Sequence, residues 1–373
     1  MNYRADSANF PVQLKIYSTL RTVFRILFFA LFPVLVFSQG KKDIEEVFDR
    51  YFESIDQFSG NVLVAKKGQV LYSNSFGYAN LELGVRNDIG TKFRIGSLTK
   101  QFTAMGIMVL VEQGKIGLHQ SIASYLDSIP AHWESITVHQ LLSHTSGLVH
   151  AWGSSEFKKC TALELTTDEV IALFWEVPLR TAPGKSFHYS GLGYFILARI
   201  IEKASGLSYA AFMADFIFEP LSMENTGMDR PRELITGRAS GYLLEDKEII
   251  NADYLNMQLL KGGGNMYSTA HDLLLWDRAL YERRLISEKG DSTLFQPVQK
   301  NYAYGWRVLD TPHGQLTKHN GSINGFFAQI FRLTDEQVLV IVLMNQTRPE
   351  HPRLGNQFFQ IVKQHLLNEK NKH

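Results

Sequence analysis

The sequence predicts an α+β protein. An antiparallel β-sheet is flanked by N- and C-terminal helices and interrupted by a large, mostly helical insertion. Strand-like segments near both ends of the chain are joined by hairpin signals, at Lys67-Gly68 and at Thr334-Asp335-Glu336. Hairpin-linked strands pair antiparallel. Helical periodicity dominates the stretch between them and both flanks.

In chain order, Ile44, Val47, Phe48, Tyr51 and Ile55 recur at three- and four-residue steps, with Asp43 and Glu46 as a capping pair and Gly60 as the stop. Strands over 61–66 and 69–76 follow. A helix opens at Ser97, carries the apolar run 104–111 and closes at Gly114. Residues 115 to about 285 read as helices with long loops, the clearest at 167–176, 194–204 and 272–281. Strands return at 304–309, 315–319, 326–333 and 338–344. A last amphipathic helix carries Phe358, Ile361, Val362 and Leu366. The expected organisation is one domain over 39–367. Its sheet lobe takes about 43–96 and 300–367, its helical lobe about 97–299, and 368–373 form a flexible tail.

Composition narrows the function. Of 373 residues, 45% are hydrophobic and 20% charged, ordinary values for a chain able to bury a substantial core. The net charge is +1 with no long run of one sign, which argues against nucleic acid as a partner. Cys160 is the only cysteine, so an intrachain disulfide or a cysteine zinc site is excluded. The 12 histidines show no metal-ligand spacing, and neither metal nor cofactor is expected. Lys15, Arg21 and Arg25 precede an almost wholly apolar run, 26–37, and Val36 and Ser38 fit the −3 and −1 positions of a cleavage site before Gln39. This is the layout of a signal peptide over 1–38 and of an exported, periplasmic or extracellular protein. The run is short for a bilayer span and Pro33 interrupts it. An uncleaved membrane anchor is the competing reading.

The chemistry starts at Phe93-Arg-Ile-Gly-Ser97-Leu-Thr-Lys100. A spacing of three puts Ser97 and Lys100 on one helix face. A serine hydroxyl needs a neighbouring base, and a desolvated lysine can be that base. Ser-x-x-Lys also occurs at Ser38–Lys41 and Ser155–Lys158, but only Ser97 follows a glycine and opens a long apolar helix. Locally, a helix-opening serine beside a solvated lysine is an equal reading. Tyr189 follows a Pro183-Gly184 turn and precedes a helix; near a cation its phenol can act as acid or base, although a packed aromatic is the commoner case. In Lys318-His319-Asn320-Gly321-Ser322 a strand ends in glycine, which lets a substrate backbone approach. An exposed glycine-rich hairpin is the plainer reading there. His144, in Leu141-Leu-Ser-His-Thr-Ser-Gly147, reads as a loop-ordering residue, with Ser143 and Ser146 as turn formers.

Ser97-Leu-Thr-Lys100, Tyr189-Ser-Gly191 and His319-Asn-Gly321 resemble, in order and approximate spacing, the three motifs of the serine β-lactamase and penicillin-binding-protein superfamily. The branch they most resemble is the class C β-lactamase-related one. Gly77-Tyr-Ala-Asn80, Leu141 to Gly147, Gly263-Gly-Asn-Met-Tyr-Ser-Thr269 and Tyr304-Gly-Trp306 add to the likeness, which covers about 43–367. The resemblance implies the β-lactamase/transpeptidase-like fold. It makes Ser97 the acylated nucleophile, Lys100 its base and Tyr189 a proton shuttle. His319, where many members have lysine, would bind or orient the substrate and Tyr189. The backbone N–H groups of Ser97 and Ser322 would form the oxyanion hole, and Gly191, Asn320 and Gly321 would lie against the substrate. Gly191, where lactamases of this branch usually have asparagine, and His319 depart from the pattern. Both changes fit an esterase or peptidase better than a resistance enzyme. The expectation is an exported serine hydrolase acting through an acyl-enzyme on a small-molecule or peptide substrate: an ester, an amide or a peptide such as a D-amino-acid cell-wall peptide. A true β-lactamase and a catalytically silent binding domain are the alternatives.

Overall fold

The computed structural model of the chain describes residues 44–348 except 56, residues 351–367 and Met1. The expectations for the export segment, for Asp43 and for the 368–373 tail lie outside the described residues. A helix over 44–53 forms where the periodicity places one and belongs to a compact unit that ends at Ser54. Gly60 does not stop that helix. It is the first residue of a strand, where a Cβ would fall 1.9 Å from Leu343 O.

The unit from Ile55 onward is built on a six-stranded antiparallel sheet. Its strands are β1 (Gly60–Lys66), β2 (Gln69–Phe76), β3 (Arg307–Thr311), β4 (Gly314–Ile323), β5 (Phe326–Leu333) and β6 (Val338–Met344). The spatial order is β3-β4-β5-β6-β1-β2, so strands about 280 residues apart in sequence pair where β1 meets β6, in the register Val62↔Val342. Every residue of β5 and β6 is buried. Strands covered on both faces read as continuous apolar runs rather than alternating ones.

Four helices place the functional residues: α1 (Thr99–Glu112), α2 (Gly191–Ser205), α3 (Ala270–Glu282) and α4 (His351–Leu367). Period-two alternation divides β5 between its faces. Phe331 stacks on Phe359 of α4 at 4.7 Å, and Arg332 on the other face pairs with Asp277 of α3 at 2.5 Å, both partners buried. Helix α1 is buried from Thr99 to Leu110, its polar residues Thr99, Lys100, Gln101 and Thr103 included. Helix α2 starts three residues before the periodicity suggests, because Ser190 Oγ caps it by accepting from Gly193 N–H at 3.1 Å.

The insertion is not only helical. Met266–Ser268 pairs with Phe93–Arg94 and Gly227–Met228, and Tyr242–Glu245 pairs with Glu248–Asn251 and Gln346–Thr347. Segments of two to four residues are too short to carry a period.

Candidate active site

Ser97 is delivered by a strand and held by a turn. Ile95 N–H donates to Met266 O at 3.0 Å, continuing the Phe93–Arg94 pairing. Gly96 then takes φ +50°, which glycine adopts without steric cost. One tight turn, Gly96–Leu98, runs straight into α1. Ser97 stays partly exposed, whereas Lys100 is buried.

Lys100 Nζ donates to Ser97 Oγ at 3.1 Å and to Gly263 O at 2.6 Å. One turn further along α1, Thr103 donates to Gly262 O at 2.6 Å. The glycine corner must lie this close: a Cβ on Gly262 would fall 2.6 Å from Tyr194 O. The ammonium nitrogen sits 5.1 Å and 5.4 Å from the ring centres of Tyr189 and Tyr194. Burial with no carboxylate partner among the described residues lowers Lys100 to about 7. Near neutral pH a large share of Lys100 is therefore a free amine beside Ser97.

Tyr189 stands on the loop before α2, its ring centre 5.1 Å from Lys100 Nζ and 6.3 Å from that of His319. Desolvation pushes its phenol above the ordinary value, with Ser97 and the Arg307 charge opposing, so the hydroxyl keeps its proton. Two histidines hold this loop. His144 Nδ1 accepts from Ser190 N–H at 3.1 Å, and His150 Nδ1 accepts from Gly191 N–H at 2.9 Å. The first N–H groups of a helix lack partners within it, and here imidazoles supply them. His144, at φ +58°, lies 4.3 Å from the Tyr189 ring and 4.6 Å from that of Tyr302. It orders the loop, as its sequence context suggests. Burial, reinforced by the Lys100 charge, holds His144 well below the usual imidazole value and His150 at about 4. Both are neutral.

The third motif lies on β4. His319 and Gly321 are buried, while the alternate residues Asn320 and Ser322 are exposed. A Cβ on Gly321 would fall 2.0 Å from Ile95 O and 2.8 Å from Ser97 N, and one on Gly96 would fall 3.0 Å from Ser322 N. The two glycines let strand and nucleophile turn touch, which gathers the Ser97 and Ser322 backbone nitrogens. His319 Nδ1 donates to Asn320 O at 2.7 Å, and its Nε2 accepts from the Tyr302 hydroxyl at 3.1 Å. Burial, with the Lys100 charge next, lowers His319 to about 3. It therefore brings no positive charge to the site.

A nucleophile and a lysine of lowered pKa from one segment thus converge with a protonated tyrosine from another. A family model described as Beta-lactamase matches residues 45–361. The chain belongs to the β-lactamase family. It is 31% identical to Penicillin-binding protein 4* of Bacillus subtilis over 333 residues, 82% of this chain and 72% of that protein. A penicillin-binding protein from Bacillus halodurans has the same fold, with a TM-score of 0.74 at 24% identity over 86% of this chain and 98% of the other. So does the D-amino acid amidase of Ochrobactrum anthropi in complex with L-phenylalanine amide, at 0.76 and 20% over 89% and 99%.

This β-lactamase-family serine hydrolase draws on groups that the motifs do not mark. Gly263 offers only its carbonyl to Lys100, and its one sequence signal is the glycine-rich stretch that contains it. Tyr302 holds His319, and His150 holds Gly191; neither lies in a motif. Arg307 on β3 lies over the Tyr302 ring at 5.8 Å and acts electrostatically on Tyr189 and His319. It places a fixed positive charge near the site although His319 is neutral. Asn320 takes part through its carbonyl, which accepts from His319. A separate recess of about 550 Å³, lined by Glu164, Asp168, Arg199, Glu202, Tyr209 and Lys261 among others, holds none of these residues. Its charges are paired, Arg199 with Asp168 and Lys261 with Glu202.

Proposed function

We propose that the chain hydrolyses an ester or amide of a small-molecule or peptide substrate through an acyl-enzyme on Ser97. The observation that carries this reading is the 3.1 Å contact of Ser97 Oγ with a buried Lys100 whose pKa is lowered to about 7. The opposed shifts of Lys100 and Tyr189 support Lys100 as the base and Tyr189 as the acid. Neutral Lys100 takes the hydroxyl proton as Ser97 Oγ bonds to the acyl carbon. The carbonyl oxygen becomes an oxyanion that accepts from the Ser97 and Ser322 N–H groups. Tyr189 gives its proton to the leaving oxygen or nitrogen as that bond breaks, and recovers one from the Lys100 ammonium. In the second half, water attacks the acyl carbon and loses its proton to Lys100, and Ser97 Oγ departs as the acyl–oxygen bond breaks and takes that proton from the Lys100 ammonium.

Gly191 in place of a carboxamide and His319 in place of a lysine favour short acyl esters and amides over cephalosporins. D-amino acid derivatives are a candidate class, since the amidase that shares the fold is named for them. The signal-peptide layout of 1–38 supports export, with one domain over 39–367. The test is mass spectrometry after exposure to a fluorophosphonate, with rates on p-nitrophenyl butyrate and nitrocefin. An adduct on Ser97, lost together with ester turnover in Ser97→Ala, is expected. Ester turnover that survives Ser97→Ala overturns the mechanism. Nitrocefin turnover without ester turnover replaces this reading with a true β-lactamase.

A further inference from the structure

Lys100 is aimed by a segment with little backbone stiffness of its own. Its Nζ donates to Gly263 O at 2.6 Å, and that carbonyl belongs to three consecutive glycines, 262–264. Glycine has the most backbone freedom of any residue, so neighbours must impose the direction of the carbonyl. On the amide side, the Gly263 and Gly264 N–H groups both donate to Leu260 O at 2.9 Å. On the carbonyl side, Gly262 O accepts from Thr103 Oγ1 at 2.6 Å. Thr103 lies on α1 one turn beyond Lys100 and is fully buried.

The proton order in this contact is fixed. Thr103 Oγ1 has one proton and three oxygens within reach: Gly262 O at 2.6 Å, Tyr209 Oη at 2.6 Å and Thr99 O at 3.3 Å. A carbonyl only accepts, and the nearer carbonyl is that of Gly262. The Tyr209 hydroxyl must then donate to Thr103. Burial pushes that phenol up, so it keeps its proton. The donors therefore run from Tyr209 to Thr103 to Gly262, and the next peptide presents Gly263 O to Lys100. Tyr209 is itself tied down. Its N–H donates to Glu202 Oε1 at 3.1 Å, and the same oxygen accepts from Lys261 Nζ at 2.9 Å. The glycine corner is thereby held from α1 and α2 at once.

We infer that Thr103, backed by Tyr209, is a positioning residue for the base: its bond to Gly262 O fixes the glycine corner so that Gly263 O takes one N–H of Lys100 and leaves the rest of the amine to Ser97. The inference rests on the acyl-enzyme reading and extends it from the groups that react to those that aim them. A carbonyl acceptor favours the ammonium over the amine. Loss of alignment therefore lowers the rate and also moves the Lys100 titration downward. The titratable groups facing Lys100 are Tyr189, Tyr194 of α2, His144, His150 and His319 of β4. Burial keeps the two phenols protonated and the three imidazoles neutral. The Arg307 charge, which acts on His144 and His319, is constant. The acid limb of a pH profile thus reports Lys100.

The test follows two rates on either side of neutral pH: turnover of p-nitrophenyl butyrate, and fluorophosphonate labelling of Ser97, which needs no knowledge of the natural substrate. Thr103→Val keeps the shape of the side chain and removes the donor. It is expected to lower kcat and the plateau labelling rate about tenfold, the size of one hydrogen bond. KM should change little, and the midpoint of the acid limb should fall by at least about half a pH unit. Thr103→Ser keeps the hydroxyl and should restore both rate and midpoint. Thr103→Val also strands the buried Tyr209 hydroxyl, so its melting temperature should drop. Adding Tyr209→Phe removes the stranded group. The double variant should regain stability while its rate and midpoint stay at the Thr103→Val values, and it carries the same comparison with wild type if the single variant does not fold. Recovery of rate along with stability, or an unmoved midpoint, overturns the inference. A wild type that takes no label on Ser97 overturns the hydrolase reading itself, whereas a labelled wild type with a normal Thr103→Val rate overturns only the role of Thr103.

Discussion

Lys100 carries the site's main conflict between stability and activity. A base must be neutral to accept a proton, so kcat/KM should rise with pH through about 7 and level off above it. A pH–rate profile on a non-ionising ester checks this; activity that is already flat well below pH 7 would exclude Lys100 as the base. The same shift has a cost in stability. Unfolded, the lysine binds its proton near 10.5; folded, near 7. As pH falls from 10.5 toward 7 the unfolded chain gains a proton that the folded one refuses, and folding loses free energy over that window. Lys100→Met should therefore abolish turnover and yet stabilise the fold at pH 7, by about 1–2 kcal/mol after the lost bonds to Ser97 and Gly263 are set against the gain. Chemical denaturation reads this directly, and a clear loss of stability would contradict it.

Helix α3 is fixed to the sheet by a buried charge pair as well as by apolar packing. Arg332 of β5 and Asp277 of α3 are both almost fully buried, and the guanidinium lies over the rings of Tyr281, Phe295 and Trp306 at 4.7, 5.6 and 5.5 Å. Removing one partner strands the other charge, so Arg332→Met alone should cost about 3–5 kcal/mol. Asp277→Leu combined with Arg332→Met should recover most of that, because the pair no longer needs dehydrating as ions. A double-mutant cycle in urea tests it; additive losses would show that the two residues act separately.

The two lobes meet at a backbone contact, and the site depends on it. Gly321 on the sheet lies against Ile95 and Ser97 at the entrance to the helical lobe, and a methyl group there has no room, falling 2.0 Å from Ile95 O. Gly321→Ala must push the strand away from the nucleophile turn, which separates the Ser97 and Ser322 N–H groups. The expected result is a loss of at least about 10² in kcat, the loss seen when one oxyanion donor is removed, with a much smaller change in stability. Steady-state kinetics and thermal melting together decide; normal kcat would remove Ser322 from the oxyanion role.

The sheet and its helices were legible because each is a near-neighbour pattern. The period-two and all-apolar runs of β1, β5 and β6 and the helical steps of α2 and α3 depend on residues a few positions apart. Ser97, Lys100, Tyr189 and Gly321 were legible because their chemistry comes with a characteristic spacing or a glycine. What the spacing could not carry is the environment. Lys100 is lowered to about 7 because segments distant in sequence bury it, while Gly263, 163 residues away, accepts its hydrogen bond. The sequence offers His319 to bind or orient the substrate and Tyr189; that its ring is held by Tyr302 and by its own strand is visible only in the fold. His150 has no motif at all; its bond to Gly191 N–H, 41 residues on, exists only in the fold. Hydrogen-bond pattern and residue type are local properties of a chain, whereas desolvation and charge–charge energy belong to whichever surfaces the fold brings together. Sequence therefore marks the candidate groups, and tertiary packing sets their burial, protonation and hydrogen-bond partners.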